Sequence, residues 1–181
     1  MLAKYRHPNI VLLIGISSIP PNLTIVTEFV KSGSLYDFIH KKRVKFSGEE
    51  RRRIVQQVLG AVGYLHQHGI VHRDIKSHNF LVYENYIVKL CDFGLARSKD
   101  KLHQGPMQFS GTPAYMAQEL FQKKTYDEKV DIFALGTLLF EIYSGEIPYN
   151  KLDPADIKDK LLKDSNLSNF SVNKPVLELS T

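Results

Sequence analysis

Tryptophan is absent from the sequence and cysteine occurs once, as Cys91. A single thiol excludes an internal disulfide framework and a multi-cysteine zinc site, and it matches a reducing compartment, so a cytoplasmic location is expected. Long hydrophobic runs are missing too. Ile10 to Ile16 follows Lys4 and Arg6 in the manner of an export signal, but it leads into Ser17-Ser18-Ile19-Pro20-Pro21 rather than a small-residue cleavage site. That run and Ile132 to Phe140 are both too short to cross a bilayer, so no membrane span is expected. Repeats and low-complexity linkers are likewise absent. What is there, 43% hydrophobic and 24% charged over 181 residues, has the make-up of one soluble globular domain and is short for two.

The formal charge is +5, and seven of the 24 basic residues fall between Lys41 and Arg53, interrupted by Glu49 and Glu50. No nucleic-acid-binding motif or interleaved series of stacking aromatics accompanies the cluster. It reads as a solvated helix face, and no nucleic-acid partner is expected.

Short β-type segments, rich in branched and aromatic residues, come first: Ile10 to Ile16 and Leu23 to Val30, joined through Ile19-Pro20-Pro21-Asn22, form a predicted hairpin. Ser34 and Asp37 cap a predicted short helix from Leu35 to about Lys42. Ser47 and Glu50 make a second capping box, followed by Ile54, Val55, Val58, Leu59, Val62 and Leu65 at helical spacing and by Gly69 as a left-handed stop. Phe80 to Tyr83 and Tyr86 to Cys91 flank Glu84-Asn85 as another hairpin. Asp92 to Thr112 has no sustained period, which in a compact domain marks a functional or disordered stretch. Asp127 to Ser144, capped by Thr125 and Glu128 and stopped by Gly145, is apolar almost all round, as a helix buried in the middle of a domain would be. Asp153-Pro154 opens a last short amphipathic helix containing Ile157, Leu161 and Leu162.

Chemistry concentrates in His72-Arg73-Asp74-Ile75-Lys76-Ser77-His78-Asn79 and in Asp92-Phe93-Gly94, which begins eighteen residues after Asp74. These resemble the catalytic loop and metal-binding motif of the eukaryotic protein kinases. Further matches follow in order: Gly111-Thr112-Pro113-Ala114-Tyr115-Met116-Ala117-Gln118-Glu119 resembles the substrate-facing segment, and Asp131-Ile132-Phe133-Ala134-Leu135-Gly136 the start of the central helix. A lone Asp-Phe-Gly carries almost no information. Five ordered motifs over some 130 residues, counting the hinge below, do.

The resemblance implies an α+β, protein-kinase-like fold: a mostly helical C-lobe with a remnant of the β-rich N-lobe and the hinge. The N-lobe remnant would span residues 1–27, the hinge 28–34 and the C-lobe 35–181. Phosphoryl transfer needs little covalent help from the protein, which positions a hydroxyl and neutralises charge. The resemblance implies that Asp74 accepts or orients the proton of a protein substrate's hydroxyl. It likewise implies that Asn79 and Asp92 hold Mg2+ for ATP and that Lys76 stands near the transferred phosphate. Lys76 and Thr112 resemble the serine/threonine type, and Lys76-Ser77 with Gly111-Thr112-Pro113 resembles its tyrosine-kinase-like group. Thr27 would be the gatekeeper, the backbone of Glu28 and Val30 would face adenine, and Leu81 would lie under the base. Leu2 and Leu13 would stack on His72 and Phe93. Arg73 beside Asp74 marks kinases whose activation segment is controlled by phosphate, with Ser110 the candidate for an upstream kinase. Cys91 reads as a small buried residue rather than a reactive thiol.

No glycine-rich phosphate loop followed by a Val-Ala-Ile-Lys-like strand occurs in these 181 residues. The resemblance therefore implies a domain truncated at both ends, with an apolar face exposed where the small lobe is thinned and weak activity for the chain by itself. Ala117-Gln118-Glu119 replaces the family's Ala-Pro-Glu, implying a less constrained turn and a Glu119 without its usual arginine. Three readings follow: an active serine/threonine kinase, a kinase-like binding or scaffold module, and a fragment whose function belongs to a longer protein.

Overall fold

The computed structural model describes residues 5–17, 19, 24–102, 112–122, 124–149 and 151–163. The first predicted hairpin forms, but shorter: β1 (Leu13–Ser17) pairs antiparallel with β2 (Thr24–Thr27), matching Gly15 to Val26, Ile16 to Ile25 and Ser17 to Thr24. Its expected Pro20-Pro21 turn lies outside the described residues. The chain before β1 leaves the hairpin because Ile10 and Val11 are buried elsewhere: Val11 N–H donates to the Leu90 carbonyl (2.9 Å) and Leu90 N–H to that of Asn9 (2.8 Å). Ile14, Ile16 and Ile25 are more than half exposed, so this small sheet presents the expected apolar surface to solvent.

The segment predicted as a helix from Leu35 to Lys42 is capped as expected. Ser34 N–H and Oγ donate to Asp37 Oδ2 (2.8 and 2.7 Å), and Asp37 N–H returns a bond to Ser34 Oγ (3.2 Å). The turn then widens into a π-helical turn, Asp37–Lys41, closed by Lys42 N–H donating to the Asp37 carbonyl (2.8 Å). Helical spacing alone does not distinguish a π turn from an α turn.

Helix α1 (Gly48–Gln67) starts at the predicted capping box: Glu50 N–H donates to Ser47 Oγ (3.2 Å) and Ser47 N–H to Glu50 Oε2 (2.7 Å). Ile54, Val58, Ala61, Val62 and Leu65 form its buried stripe, Arg52 and Arg53 are exposed, and Gly69 takes the left-handed conformation (φ 68°) that ends it. Strand β3 (Ile70–Val71) follows, then β4 (Phe80–Val82) and β5 (Val88–Leu90), paired antiparallel as predicted with Phe80 opposite Leu90. Their turn contains two left-handed non-glycine residues, Asn85 and Tyr86 (φ 55° each), and the Tyr86 ring is held edge-on to Phe46 at 5.1 Å.

Strand β6 (Arg97–Ser98) pairs with β3 and lies within the stretch read as aperiodic; a two-residue pair is too short to show a period. Helix α2 (Gln118–Phe121) begins at the glutamine that replaces proline, after an extended Ala117 (φ −67°, ψ 152°), so the turn forms without the proline ring.

Helix α3 (Lys129–Ser144) begins two residues later than predicted. Thr125 does not cap it and Glu128 gives no side-chain cap; instead Asp127 Oδ1 accepts from Lys129 N–H (2.9 Å). Gly145 stops it at φ 73°. The helix is less enclosed than its composition predicted, since Ile132 is 52% exposed. Helix α4 (Pro154–Lys163) buries Ile157 and Leu161 against Met116 and Phe121. One main core joins α1, α3 and the β4–β5 pair. The fold is α+β and kinase-like: a mostly helical body, a small N-terminal β pair and a connecting hinge segment.

Candidate active site

The start of the loop from His72 to Asn79 is held by a buried carboxylate. Asp131, fully buried in the first turn of α3, accepts His72 N–H at Oδ2 (2.8 Å) and Arg73 N–H at Oδ1 (2.8 Å), and its Oδ2 lies 2.9 Å from His66 Nε2. These bonds hold Arg73 in a left-handed conformation (φ 67°) that an arginine does not adopt freely. The Arg73 side chain donates from Nε to the Leu95 carbonyl (2.6 Å) and from Nη1 to the Tyr126 hydroxyl (2.9 Å), so it already binds the segment after Asp92.

The three residues expected to be catalytic are knitted together. Asn79 Nδ2 donates to the Asp74 carbonyl (2.8 Å) and to Asp74 Oδ2 (2.9 Å), and Lys76 Nζ stands 2.8 Å from the same oxygen. Asp74 Oδ1 makes no hydrogen bond among the described residues. Asp74 also lines a small cavity with Arg73, Thr112 and Tyr115, which brings the segment expected to face the substrate beside the loop of Asp74.

Asp92 is delivered by a second set of contacts. Cys91 N–H donates to the Asn79 carbonyl (2.8 Å), fixing the end of β5 against the loop. Asp92 follows, exposed and left-handed (φ 58°), with Oδ1 accepting from Gly94 N–H (3.2 Å). Phe93 meets the His72 ring edge-on at 4.9 Å. Leu13 lines the same cavity as Phe93, whereas Leu2 lies outside the described residues. Burial lowers the affinity of His72 for a proton, and the neutral ring donates from Nε2 to the Cys91 carbonyl (3.2 Å) while Nδ1 accepts from Asp74 N–H (3.4 Å).

Burial, followed by the charge of Asp92, pushes the Cys91 thiol up to about 11. Alkylation by iodoacetamide at pH 8 is therefore expected to be on the order of a hundredfold slower than for the unfolded chain, because the thiolate is the reactive form. Mass spectrometry of timed samples checks this, and equal rates for folded and unfolded protein contradict it.

On the side expected to take adenine, Thr27 lines a cavity of about 430 Å³ with Leu13, Ile16, Ile25, Asp92, Phe93 and Gly94. Glu28, Val30 and Leu81 do not line it. Val30 makes no backbone hydrogen bond among the described residues, while Glu28 N–H is used in pairing with the Leu12 carbonyl (3.0 Å). Leu81 sits on β4 and bridges Ser34, next to the hinge segment. The Glu28 side chain does something the sequence did not announce. It accepts Leu12 N–H (2.8 Å) and the Tyr83 hydroxyl, and it pairs with Lys89 Nζ at 2.7 and 2.8 Å. Burial opposes its charge, but the bonds from Lys89, Tyr83 and Leu12 outweigh that and hold the carboxyl below its ordinary range.

Glu28 and Lys89 are 61 positions apart, so no local pattern links them. Asp131 had a signal of a weaker kind, since an acid inside a nearly all-apolar helix must find donors when buried. Glu141 carries the same signal. Glu119, half-buried, makes no ion pair among the described residues.

Residues 1–177 match the protein kinase domain family. A probable serine/threonine-protein kinase of Dictyostelium discoideum is 42% identical over 157 residues, covering 87% of this chain and 17% of the relative. The serine/threonine-protein kinase CTR1 of Arabidopsis thaliana is 41% identical over 161 residues, covering 87% of this chain and 20% of the relative. A chain in the crystal structure of the yeast RNA Pol II CTD kinase CTDK-1 complex superposes with a TM-score of 0.77 at 25% identity, covering 87% of this chain and 52% of that one. This chain thus spans about a fifth of the length of these two curated relatives and about half of the solved chain. With the family matched over nearly its whole length and a catalytic loop and Asp-Phe-Gly motif folded together, the chain belongs to the eukaryotic protein kinases of the serine/threonine type, as a partial domain.

Proposed function

We propose that this chain supplies the phosphotransfer loop of an ATP-dependent protein serine/threonine kinase of the tyrosine-kinase-like group. The observation that carries the reading is the bonded set Asp74, Lys76 and Asn79, with Asp92 one residue beyond the Cys91–Asn79 bond. Asp74 orients and takes the proton of a substrate serine or threonine hydroxyl through its unbonded Oδ1, while Asn79 fixes the carboxylate by its other oxygen. Lys76 offsets charge on the phosphoryl group in transfer.

Asn79 Oδ1 makes no bond among the described residues and Asp92 is exposed, so two hard oxygens fit Mg2+, a metal that takes its other ligands from phosphate and water. Among the described residues no cluster of three His, Cys, Asp or Glu side chains is placed to hold a metal alone. Bound magnesium would neutralise phosphate charge at that position. Thr27 contributes to the wall of the nucleotide cleft, while the adenine edge at Glu28 and Val30 and the floor at Leu81, none of which lines the cavity of Thr27 and Asp92, rest on the family resemblance alone, with lobes divided at 1–27, 28–34 and 35–181. Among the described residues no helix is long and apolar enough to cross a membrane, and the site is read as working in the cytoplasm.

Two features bear on the activity of the 181 residues alone. They contain no glycine-rich phosphate loop, and the β1–β2 surface is apolar and exposed. Since loss of one preorganised stabilising group costs enzymes roughly a hundredfold or more, turnover by this chain alone is weak. The scaffold reading has less support, because all four side chains of the site are present and three are bonded to one another.

Ser110, outside the described residues, is the site at which an upstream kinase acts in this reading. Ser110→Asp, which places a negative charge where the phosphate would sit, is expected to raise the activity of the protein carrying this chain when Ser110 is unphosphorylated; an activity left unchanged by Ser110→Asp rules Ser110 out as the regulated site. The reaction class is tested with γ-labelled ATP, magnesium and a generic basic protein, followed by acid hydrolysis. Labelled phosphoserine or phosphothreonine is expected, and phosphotyrosine alone overturns the assignment.

A further inference from the structure

Glu141 is the second buried acid of α3, and its carboxylate joins three parts of the molecule. Ser77 Oγ of the catalytic loop donates to Oε1 (2.6 Å), and the Tyr115 hydroxyl of the substrate-facing segment donates to Oε2. His40 Nε2, from the π-helical turn, is 2.8 Å from Oε1. A carboxylate only accepts, so the ring donates from Nε2. Burial first, then the charge of Glu141, keeps the Tyr115 hydroxyl protonated and donating. Glu141 is fully buried, whereas the His40 side chain is 21% exposed and closes the cluster toward solvent.

The π-helical turn holds the loop at a second point. Tyr36 stacks on His78 of the catalytic loop, ring centroids 3.7 Å apart and planes at 22°, and its other neighbour is the His40 ring at 4.6 Å. The same turn follows directly on the hinge segment, where the Gly33 carbonyl accepts Val82 N–H (2.9 Å) and Ser34 bridges Leu81. Single π turns inside helices recur at functional sites, and here the widening is centred on the residues that carry His40.

We propose that His40 is a positioning residue for the protein substrate. By donating to Glu141 it fixes the carboxylate that in turn sets Ser77, three residues beyond Asp74, and Tyr115, three residues beyond Thr112. Removal of the His40 donor leaves a buried carboxylate short of one partner, and Ser77 and Tyr115 shift to compensate. The consequence falls on the peptide side of the reaction and spares nucleotide binding, because none of the cluster's residues lies against the cleft of Thr27 and Asp92.

This inference rests on the kinase reading, and the test separates the two. His40→Leu and His40→Gln are compared with wild type in the protein carrying this chain, titrating peptide and ATP separately. Glutamine places an amide donor near the position of Nε2, and leucine does not. His40→Leu is expected to lower kcat/KM for peptide on the order of tenfold to a hundredfold, the scale of small misplacements at reacting groups, with KM for ATP unchanged. His40→Gln is expected to recover most of the loss.

Amide hydrogen exchange provides a readout that needs no turnover. His40→Leu should speed exchange at residues 77–79 and 114–116 and leave the buried stripe of α1 at wild-type rates, and His40→Gln should restore the slow rates. Equal behaviour of the two variants, a parallel change in KM for ATP, or faster exchange throughout α1 overturns the proposal. A wild-type protein that labels no peptide defeats the kinase reading alone, and the exchange comparison then still decides the role of His40.

Discussion

Asp74→Asn is expected to lower the rate of phosphate transfer by roughly 10²–10⁴-fold, the range for loss of a positioned proton acceptor, while ATP binding is kept. The structure makes this substitution a clean one. Asparagine can keep the acceptor that Asn79 Nδ2 meets at 2.9 Å, and the Asp74 backbone carbonyl that accepts from the same amide at 2.8 Å is untouched. What disappears is the charge, and with it the attraction to Lys76 Nζ at 2.8 Å and the capacity to take a proton from a hydroxyl. Single-turnover transfer measured at saturating ATP checks the prediction. A loss smaller than about tenfold would remove Asp74 from the proton-accepting role, since even modest acid–base contributions exceed that.

Asp131→Ala is expected to destabilise the fold by about 3–5 kcal/mol, because it leaves several hydrogen-bond donors without an acceptor at roughly 1–3 kcal/mol for each buried one. Three donors converge on this carboxylate: the backbone N–H groups of His72 and Arg73, both at 2.8 Å, and His66 Nε2 at 2.9 Å. Alanine leaves all three without an acceptor, at a position where Asp131 and His72 are fully buried. The two backbone donors also restrain Arg73 at φ 67°, so the strained turn relaxes and Asp74 moves with it. Urea unfolding followed by circular dichroism measures the change. A loss below about 1 kcal/mol, the worth of one ordinary hydrogen bond, would contradict the view that the loop hangs from α3.

Local chemistry was legible where it was written in adjacent residues. The Ser47–Glu50 capping box, Gly69 and Gly145 place the ends of α1 and α3 because each acts within one turn of itself. The motif residues Asp74, Lys76 and Asn79 lie within six positions, so the resemblance places them together before any folding is considered, and the bonds among them follow. The π-helical turn was not legible because its hydrogen bonds differ from those of an α-helix by one residue of backbone, while the apolar spacing stays the same.

Contacts between distant segments were the least legible. Asp131 carries no mark that it accepts from His72 and Arg73, 59 and 58 positions away, beyond being an acid in an apolar helix. Glu28 with Lys89, and His40 with Glu141, depend on the hinge, the β4–β5 pair and α3 meeting in space. The exposure of Ile132 shows the converse error, since composition gives the hydrophobicity of a helix and not the number of elements packed around it.

Asn79 and Asp92 are proposed to form, beside Asp74, one site for a magnesium-bound nucleotide. Calorimetric titration of ATP into the protein carrying this chain, with and without magnesium, addresses that directly and independently of turnover. Binding is expected to strengthen with magnesium in the wild type, and the Asn79→Ala, Asp92→Asn double substitution is expected to abolish that dependence while weaker, metal-independent binding remains. Equal affinity with and without magnesium in the wild type, or a magnesium dependence undiminished in the double variant, would contradict it.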